Sequence, residues 1–112
     1  MDIDELDRAE QLALGGLIRI LVRSDGDFTQ AEEDRINAIG ERIGGPSAIW
    51  RLISSSAQAF PHDQQIRTAA RAVDRPAARD LFLSVLGDVA ATDGVADEES
   101  EMLEWLKGAW GR

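Results

Sequence analysis

Cysteine and tyrosine are absent from this 112-residue chain, which also has only three prolines, three phenylalanines and three tryptophans. The lack of cysteine excludes a disulfide framework, a thiolate zinc site and a thiol nucleophile. Long apolar runs are absent too: the longest, residues 12–18, ends at Arg19, far short of the ~20 residues that cross a bilayer. The acidic start at residues 1–5 predicts no secretory signal peptide. We therefore expect a cytoplasmic protein without direct membrane insertion.

Basic residues are also scarce, since 12 Lys and Arg stand against 21 Asp and Glu, a net charge of −9. Such a chain repels phosphate backbones and anionic membranes, so we expect no nucleic-acid partner. Cations and basic protein surfaces are favoured instead. Residues 35–79 reverse the trend, with seven Arg and three acids. This layout predicts either an electrically polar domain suited to steered docking on a protein partner, or scattered solvated charges.

The spacing of apolar residues predicts an all-α protein. No window shows the period-two alternation of a half-buried strand, and apolar residues recur at three and four. With 44% hydrophobic and 29% charged residues, the chain is typical of one globular domain over residues 1–112. We expect a compact bundle of about six to seven helices, with short connections. They cover roughly residues 4–23, 29–43, 47–60, 62–73, 76–91 and 97–108.

An internal repeat organises these helices. Shifting the first helix by about 68 residues superposes its apolar positions and its Asp25-Gly26 turn on those of the fifth helix and Asp93-Gly94. The chain is thus predicted to contain two helix–Asp-Gly–helix hairpins, related by an approximate two-fold, with two helices between them. The matched inner positions pair Leu14 with Phe82, Leu17 with Val85, Ile18 with Leu86, Leu21 with Val89, Ile36 with Leu103, Ile39 with Leu106 and Ile43 with Trp110.

These motifs resemble the TerB-like domains of tellurite-resistance and related stress systems. The resemblance is carried by Ser-Asp-Gly-Asp-Phe-Thr-Gln-Ala-Glu at 24–32, and by Asp-Arg-Pro-Ala-Ala-Arg-Asp-Leu-Phe at 74–82 leading into Ala-Thr-Asp-Gly at 91–94. It spans roughly residues 10–108. The first copy has the family's Asp-Gly-x-apolar-Ser/Thr-x-x-Glu pattern in full. The second departs from it, because Glu99 arrives one residue early.

The resemblance implies an all-helical domain with no known enzymatic activity, found in operons for resistance to tellurite and other chemical stress. Relatives are fused to other modules, including membrane-anchored co-chaperones. The family's acidic loops have been proposed as divalent-cation sites. Here that carries over to Asp25, Asp27 and Glu32 in the first loop and to Asp93, Asp97 and Glu99 in the second.

The first acidic loop also looks like the second half of a calcium-binding EF-hand loop. Such a loop needs Gly at position 6, an apolar residue at 8 and a bidentate Glu at 12, and Gly26, Phe28 and Glu32 fit these positions. Positions 1 and 3 would be Leu21 and Arg23, which supply no side-chain oxygen. Tight, autonomous calcium binding is therefore not expected. Weak binding of Ca²⁺ or Mn²⁺, completed by water or backbone oxygens, stays open.

The same loops have a purely structural interpretation. Asp25-Gly26 ends a helix, and Thr29 with Glu32 forms a capping box at the start of the next. The second loop has no basic residue between 93 and 104, and solvation, a bound cation or a basic partner could each relieve its self-repulsion.

Other candidate sites are weaker. The single histidine, His62, has no second histidine for a zinc site and reads as a surface residue at a helix start. Gly15-Gly16 has no lysine or preceding strand, so close helix packing explains it better than phosphate binding. The broad apolar surface of the last helix is either buried among several helices or leaves an aromatic edge for a partner.

Two functional classes follow. One is a non-enzymatic interaction module that docks on a protein in a stress-response or membrane-linked complex. The alternative is a divalent-cation sensor or buffer that uses the Asp-Gly loops. No arrangement of residues points to an enzyme, no cofactor beyond the cation is implied, and the oligomeric state is left open.

Overall fold

The chain folds into six helices in the parts that the structure, a computed structural model, describes. These parts are the backbone of residues 5–24, 30–90 and 97–111, with all their side chains except those at 22–24, 31–32, 89–90 and 97–100. The helices are α1 (Arg8–Ser24), α2 (Gln30–Ile43), α3 (Pro46–Ala59), α4 (Asp63–Arg71), α5 (Pro76–Ala90) and α6 (Asp97–Ala109). No strand occurs among these residues. The prediction of a compact all-α bundle is confirmed.

One hydrophobic core receives side chains from all six helices. The inner positions predicted from the repeat supply much of it: Leu17, Leu21 and Val85 are almost fully buried. The side chain of Val89 lies outside the described residues. Leu103, on α6, is only half-buried. The apolar repeat therefore identifies core-facing positions, and the two-fold relation between the hairpins stays a prediction.

Two helix starts differ from the predicted ones because of their caps. The first helix begins at Arg8, not near residue 4. The Asp7 carboxylate accepts a hydrogen bond from the Glu10 amide, and the Glu10 carboxylate accepts one from the Asp7 amide, both at 2.8 Å. This reciprocal pair is a capping box. The third helix begins at Pro46 instead of being capped by Ser47. Proline suits a first helical position because its missing N–H would have no partner there.

The helix α1 lies against α3 and α4 at its paired glycines. A Cβ atom added at Gly15 would lie 2.5 Å from the carbonyl oxygen of Leu52 in α3. One added at Gly16 would lie 2.8 Å from side-chain carbons of Ile66 in α4. Only glycine leaves room for such an approach. Close packing at Gly15-Gly16, predicted from the sequence, is confirmed.

The helices of the described segments are all too short or too polar to cross a bilayer.

Candidate protein-docking surface

The acidic loops fall largely outside what the structure describes. Asp25, Asp27 and Asp93 lie between the described segments. The other three predicted cation ligands are on helices, Glu32 in α2 and both Asp97 and Glu99 in α6, but their side chains are not described. The geometry of a cation site at these six residues stays a prediction. Elsewhere in the described chain, no three Asp, Glu or His side chains are placed to hold a metal ion.

A groove of about 620 Å³ runs between the end of α3 and the outer side of α4, and we call it the α3–α4 groove. Most of its lining side chains are small, apolar or uncharged, and six of the eight are exposed. The lining consists of Ala59, Phe60, His62, Gln64, Gln65, Thr68, Ala69 and Ala72. The volume falls within the range of about 300–1,000 Å³ that is typical of ligand pockets. An open groove of this kind can accept a segment of another macromolecule.

Hydrogen bonds and buried side chains hold both walls of the groove in place. Phe60 follows the last residue of α3, and its carbonyl oxygen accepts a hydrogen bond of 3.3 Å from Arg19 Nη1 on α1. The opposite wall, α4, is anchored by the fully buried Ile66 and Ala70. Its first turn is held by His62, whose amide donates to Gln65 Oε1 at 3.0 Å. The exposed position of His62 at a helix start, predicted from the sequence, is confirmed.

Two arginines of α4 lie over one tryptophan of α6. The Cζ atom of Arg67 is 4.7 Å from the centre of the Trp105 ring, and that of Arg71 is 5.9 Å from it. Both distances are within the ~6 Å reach of a cation–π interaction. Arg71 is exposed, while Arg67 and Trp105 are half-buried. We call Arg67 and Arg71 the arginine edge.

The aromatic residues of α6 divide between core and surface. Trp110 is buried, its ring lies edge-on to Phe82 with centroids 5.9 Å apart, and its Nε1 donates to the carbonyl of Ala70 at 2.9 Å. Trp105 stays at the surface beneath the arginine edge. Burial therefore holds for Trp110, whereas an aromatic edge for a partner at the half-buried Trp105 stays a prediction.

An ion pair between the buried Glu10 and the exposed Arg75 joins the start of α1 to the start of α5. Glu10 is 4% exposed, and Arg75 binds both of its carboxylate oxygens, with Nε 2.9 Å from Oε2. A further Arg75 donor reaches the carbonyl of Glu5 at 2.9 Å. The hydrogen bond from Arg75, helped by the Asp7 amide and opposed by burial, lowers the pKa of Glu10 below its ordinary value. The spacing Asp7-x-x-Glu10 is a sequence signal for the capping box. Arg75, the ion-pair partner of Glu10, is 65 residues away, so no local sequence pattern indicates the pair.

Several arginines of residues 35–79 make separate contacts. Arg42 pairs with Asp88 at 2.5 Å. Arg79 donates from Nε to the Val73 carbonyl at 2.9 Å, and its guanidinium lies over Trp110. Arg67 and Arg71, in contrast, form no ion pair within the described part of the chain. The arginine edge is thus one part of this basic stretch that is open to an outside anion.

Comparisons of the chain with family models, curated proteins and solved structures gave no significant match.

Proposed function

We propose that this chain is a non-enzymatic protein-interaction domain that receives a segment of a partner protein in the α3–α4 groove. The groove itself, with its size and its apolar floor beside uncharged polar side chains, is the observation that supports the proposal. The TerB-like resemblance of the sequence suggests the setting: a cytoplasmic stress-response complex of the tellurite or chemical-stress type, or a membrane-linked one.

The chemistry of the groove suits a helical segment. Ala59, Ala69 and Ala72 give it a shallow apolar surface, and Phe60 supplies a larger half-buried one. An amphipathic helix binds such surfaces with side chains spaced three and four residues apart. Exposed amides and hydroxyls, at Gln64, Gln65 and Thr68, can then bond at the rim, as the polar rim of a protein interface does.

The groove is already formed in the absence of a partner. Its α3 wall is positioned by the glycine contact between α1 and α3, and its α4 wall by the buried side of α4. A preformed site avoids part of the ordering cost of binding. We therefore expect little movement of the backbone at Phe60 and Ala69 on partner binding.

The test is to fill the groove without disturbing the core. Ala72 is exposed and lines the groove, so Ala72→Trp should block it at little cost in folding. Ala38, exposed on α2 and outside the groove lining, provides the matched control Ala38→Trp. The three proteins are used to capture partners from the producing cells. Partners that bind the wild type and Ala38→Trp but not Ala72→Trp are then purified, and each is titrated against the wild type and both variants.

A purified partner with that binding pattern supports the proposal. Partners that bind Ala72→Trp as tightly as the wild type would place docking elsewhere and contradict it.

A divalent-cation role is the second candidate, and one sequence observation favours it. Gly26, Phe28 and Glu32 stand in the register of an EF-hand loop, with Asp25 and Asp27 beside them. Its test is the cation titration given in the Discussion.

A further inference from the structure

Neither arginine of the arginine edge forms an ion pair with a described residue. Arg67 and Arg71 are four residues apart on α4, so they are neighbours on the helix surface and repel each other. Trp105 stabilises both guanidinium groups by cation–π contact at 4.7 and 5.9 Å. A ring holds a guanidinium plane in place but leaves the N–H groups at its rim free to bond. The arrangement therefore places two sets of N–H donors over one ring, where they can bond to carboxylate oxygens.

The arginine edge borders the α3–α4 groove. Gln64 and Thr68 line the groove. Arg67 stands three residues after Gln64, and Arg71 stands three residues after Thr68. Residues three apart are adjacent on a helix surface. A segment lying in the groove would thus have the two guanidinium groups along one side.

We propose that the segment received by the groove is an acidic amphipathic helix. Its apolar side chains would enter the groove, and carboxylates on its flank would pair with Arg67 and Arg71. This inference rests on the proposed function, since it names the chemistry of the partner that the groove receives. Guanidinium groups favour carboxylates because two parallel N–H···O bonds can form with each.

Charge elsewhere around the groove fixes how such a helix would lie. Ala69 and Ala72 also line a smaller cavity, of about 70 Å³, that extends to Asp7 and Asp74. Both aspartates are exposed. They repel carboxylates at that end of the groove. The carboxylates of the partner are therefore directed to the arginine edge, and like charges elsewhere act against other registers.

A display selection tests the inference without a known partner. The library presents a helical peptide with a variable apolar stripe and flanking positions that encode Glu, Gln or Lys. It is selected on the wild type, and enriched peptides are measured by fluorescence anisotropy against Ala72→Trp and against the double variant Arg67→Gln/Arg71→Gln. The control Arg35→Gln/Arg51→Gln removes two exposed arginines outside the groove and changes the net charge equally. Circular dichroism checks that every variant is folded.

We expect peptides with flanking Glu to be enriched and to lose binding to Ala72→Trp. On the arginine-edge variant they should weaken by about five- to tenfold at low salt, since exposed ion pairs are individually modest. The Arg35/Arg51 control should bind them nearly as the wild type does. Replacing their flanking Glu by Gln should weaken binding to the wild type and leave binding to the arginine-edge variant unchanged.

Three results would overturn the inference, and they differ in what they say of the groove. Groove-dependent peptides with neutral or Lys flanks would refute an acidic partner while leaving the proposed function in place. An equal loss on the Arg35/Arg51 control would show general electrostatic attraction only. Failure to obtain any peptide that Ala72→Trp excludes would refute the proposed function and this inference together.

Discussion

The close approach of α1 to α3 at Gly15 makes a strong prediction for Gly15→Ala. The added Cβ would lie 2.5 Å from the carbonyl oxygen and 2.9 Å from the carbonyl carbon of Leu52. These are backbone atoms inside a helix, so they cannot rotate away as a side chain can. To restore an ordinary contact of 3.4 Å, the two helices must separate by almost 1 Å.

The size of the effect follows from what that separation loosens. Leu14, Ile18 and Ile49 are fully buried and belong to the same core as Leu52, and a radial gap of about 0.5–1 Å loses a quarter to a half of a van der Waals contact. Overpacking costs about 1–3 kcal/mol, and the backbone obstacle favours the upper end. Alanine returns about 1 kcal/mol through its better helix propensity. We expect a net loss of about 2 kcal/mol in the free energy of unfolding.

Urea unfolding followed by circular dichroism measures this, because the midpoint should fall while the slope stays constant. The control is Gly87→Ala in α5, where an added Cβ has nothing within 4 Å. This variant should gain roughly 0.5–1 kcal/mol, as expected for an unobstructed helix glycine. The two substitutions are chemically identical, so opposite signs isolate the helix contact.

A Gly15→Ala protein as stable as the wild type, alongside a stabilised Gly87→Ala, would refute the close approach of α1 and α3. If the approach is as described, Gly15→Ala should also weaken binding of a groove partner, since α3 carries the Phe60 wall.

Glu10→Gln should destabilise the protein at neutral pH, because Arg75 holds the pKa of Glu10 low in the folded state. The stability that the Glu10 carboxylate contributes is present above the unfolded pKa of about 4.3 and fades as the pH falls through the folded pKa. The unfolding curves of variant and wild type should therefore converge in acid but not at pH 7. Leu17→Ala should cost about 2–5 kcal/mol in the same urea assay, since Leu17 is 0% exposed, and a cost under 1 kcal/mol would be incompatible with full burial. If the first acidic loop binds Ca²⁺ or Mn²⁺, amide NMR shifts should concentrate at Asp25 and Glu32 and vanish in Asp25→Asn/Glu32→Gln. The absence of shifts at millimolar cation, together with a melting temperature that a chelator does not change, would show that the loop acts only as a turn and a helix cap.

Local patterns were sufficient to predict the helices and much of the core. The three-four spacing of apolar residues and the turn residues Gly44-Gly45 act within a few residues, so they can be interpreted without knowing what packs against them. Gly44 and Gly45 have positive φ angles of 138° and 102°, which glycine adopts readily. The repeat added which positions face inward, as the burial of Leu17 and Val85 confirms.

Tertiary structure decided what could form a site. The sequence indicated only that α4 is short and rich in arginine. That Arg67 and Arg71 lie on Trp105, and that Arg75 reaches Glu10, depends on how α4, α5 and α6 are arranged around α1. The groove likewise exists because α3 and α4 both pack on α1, α3 at Gly15 and α4 at Gly16. Crossing geometry is a property of two packed surfaces, so neither helix encodes it in its own periodicity.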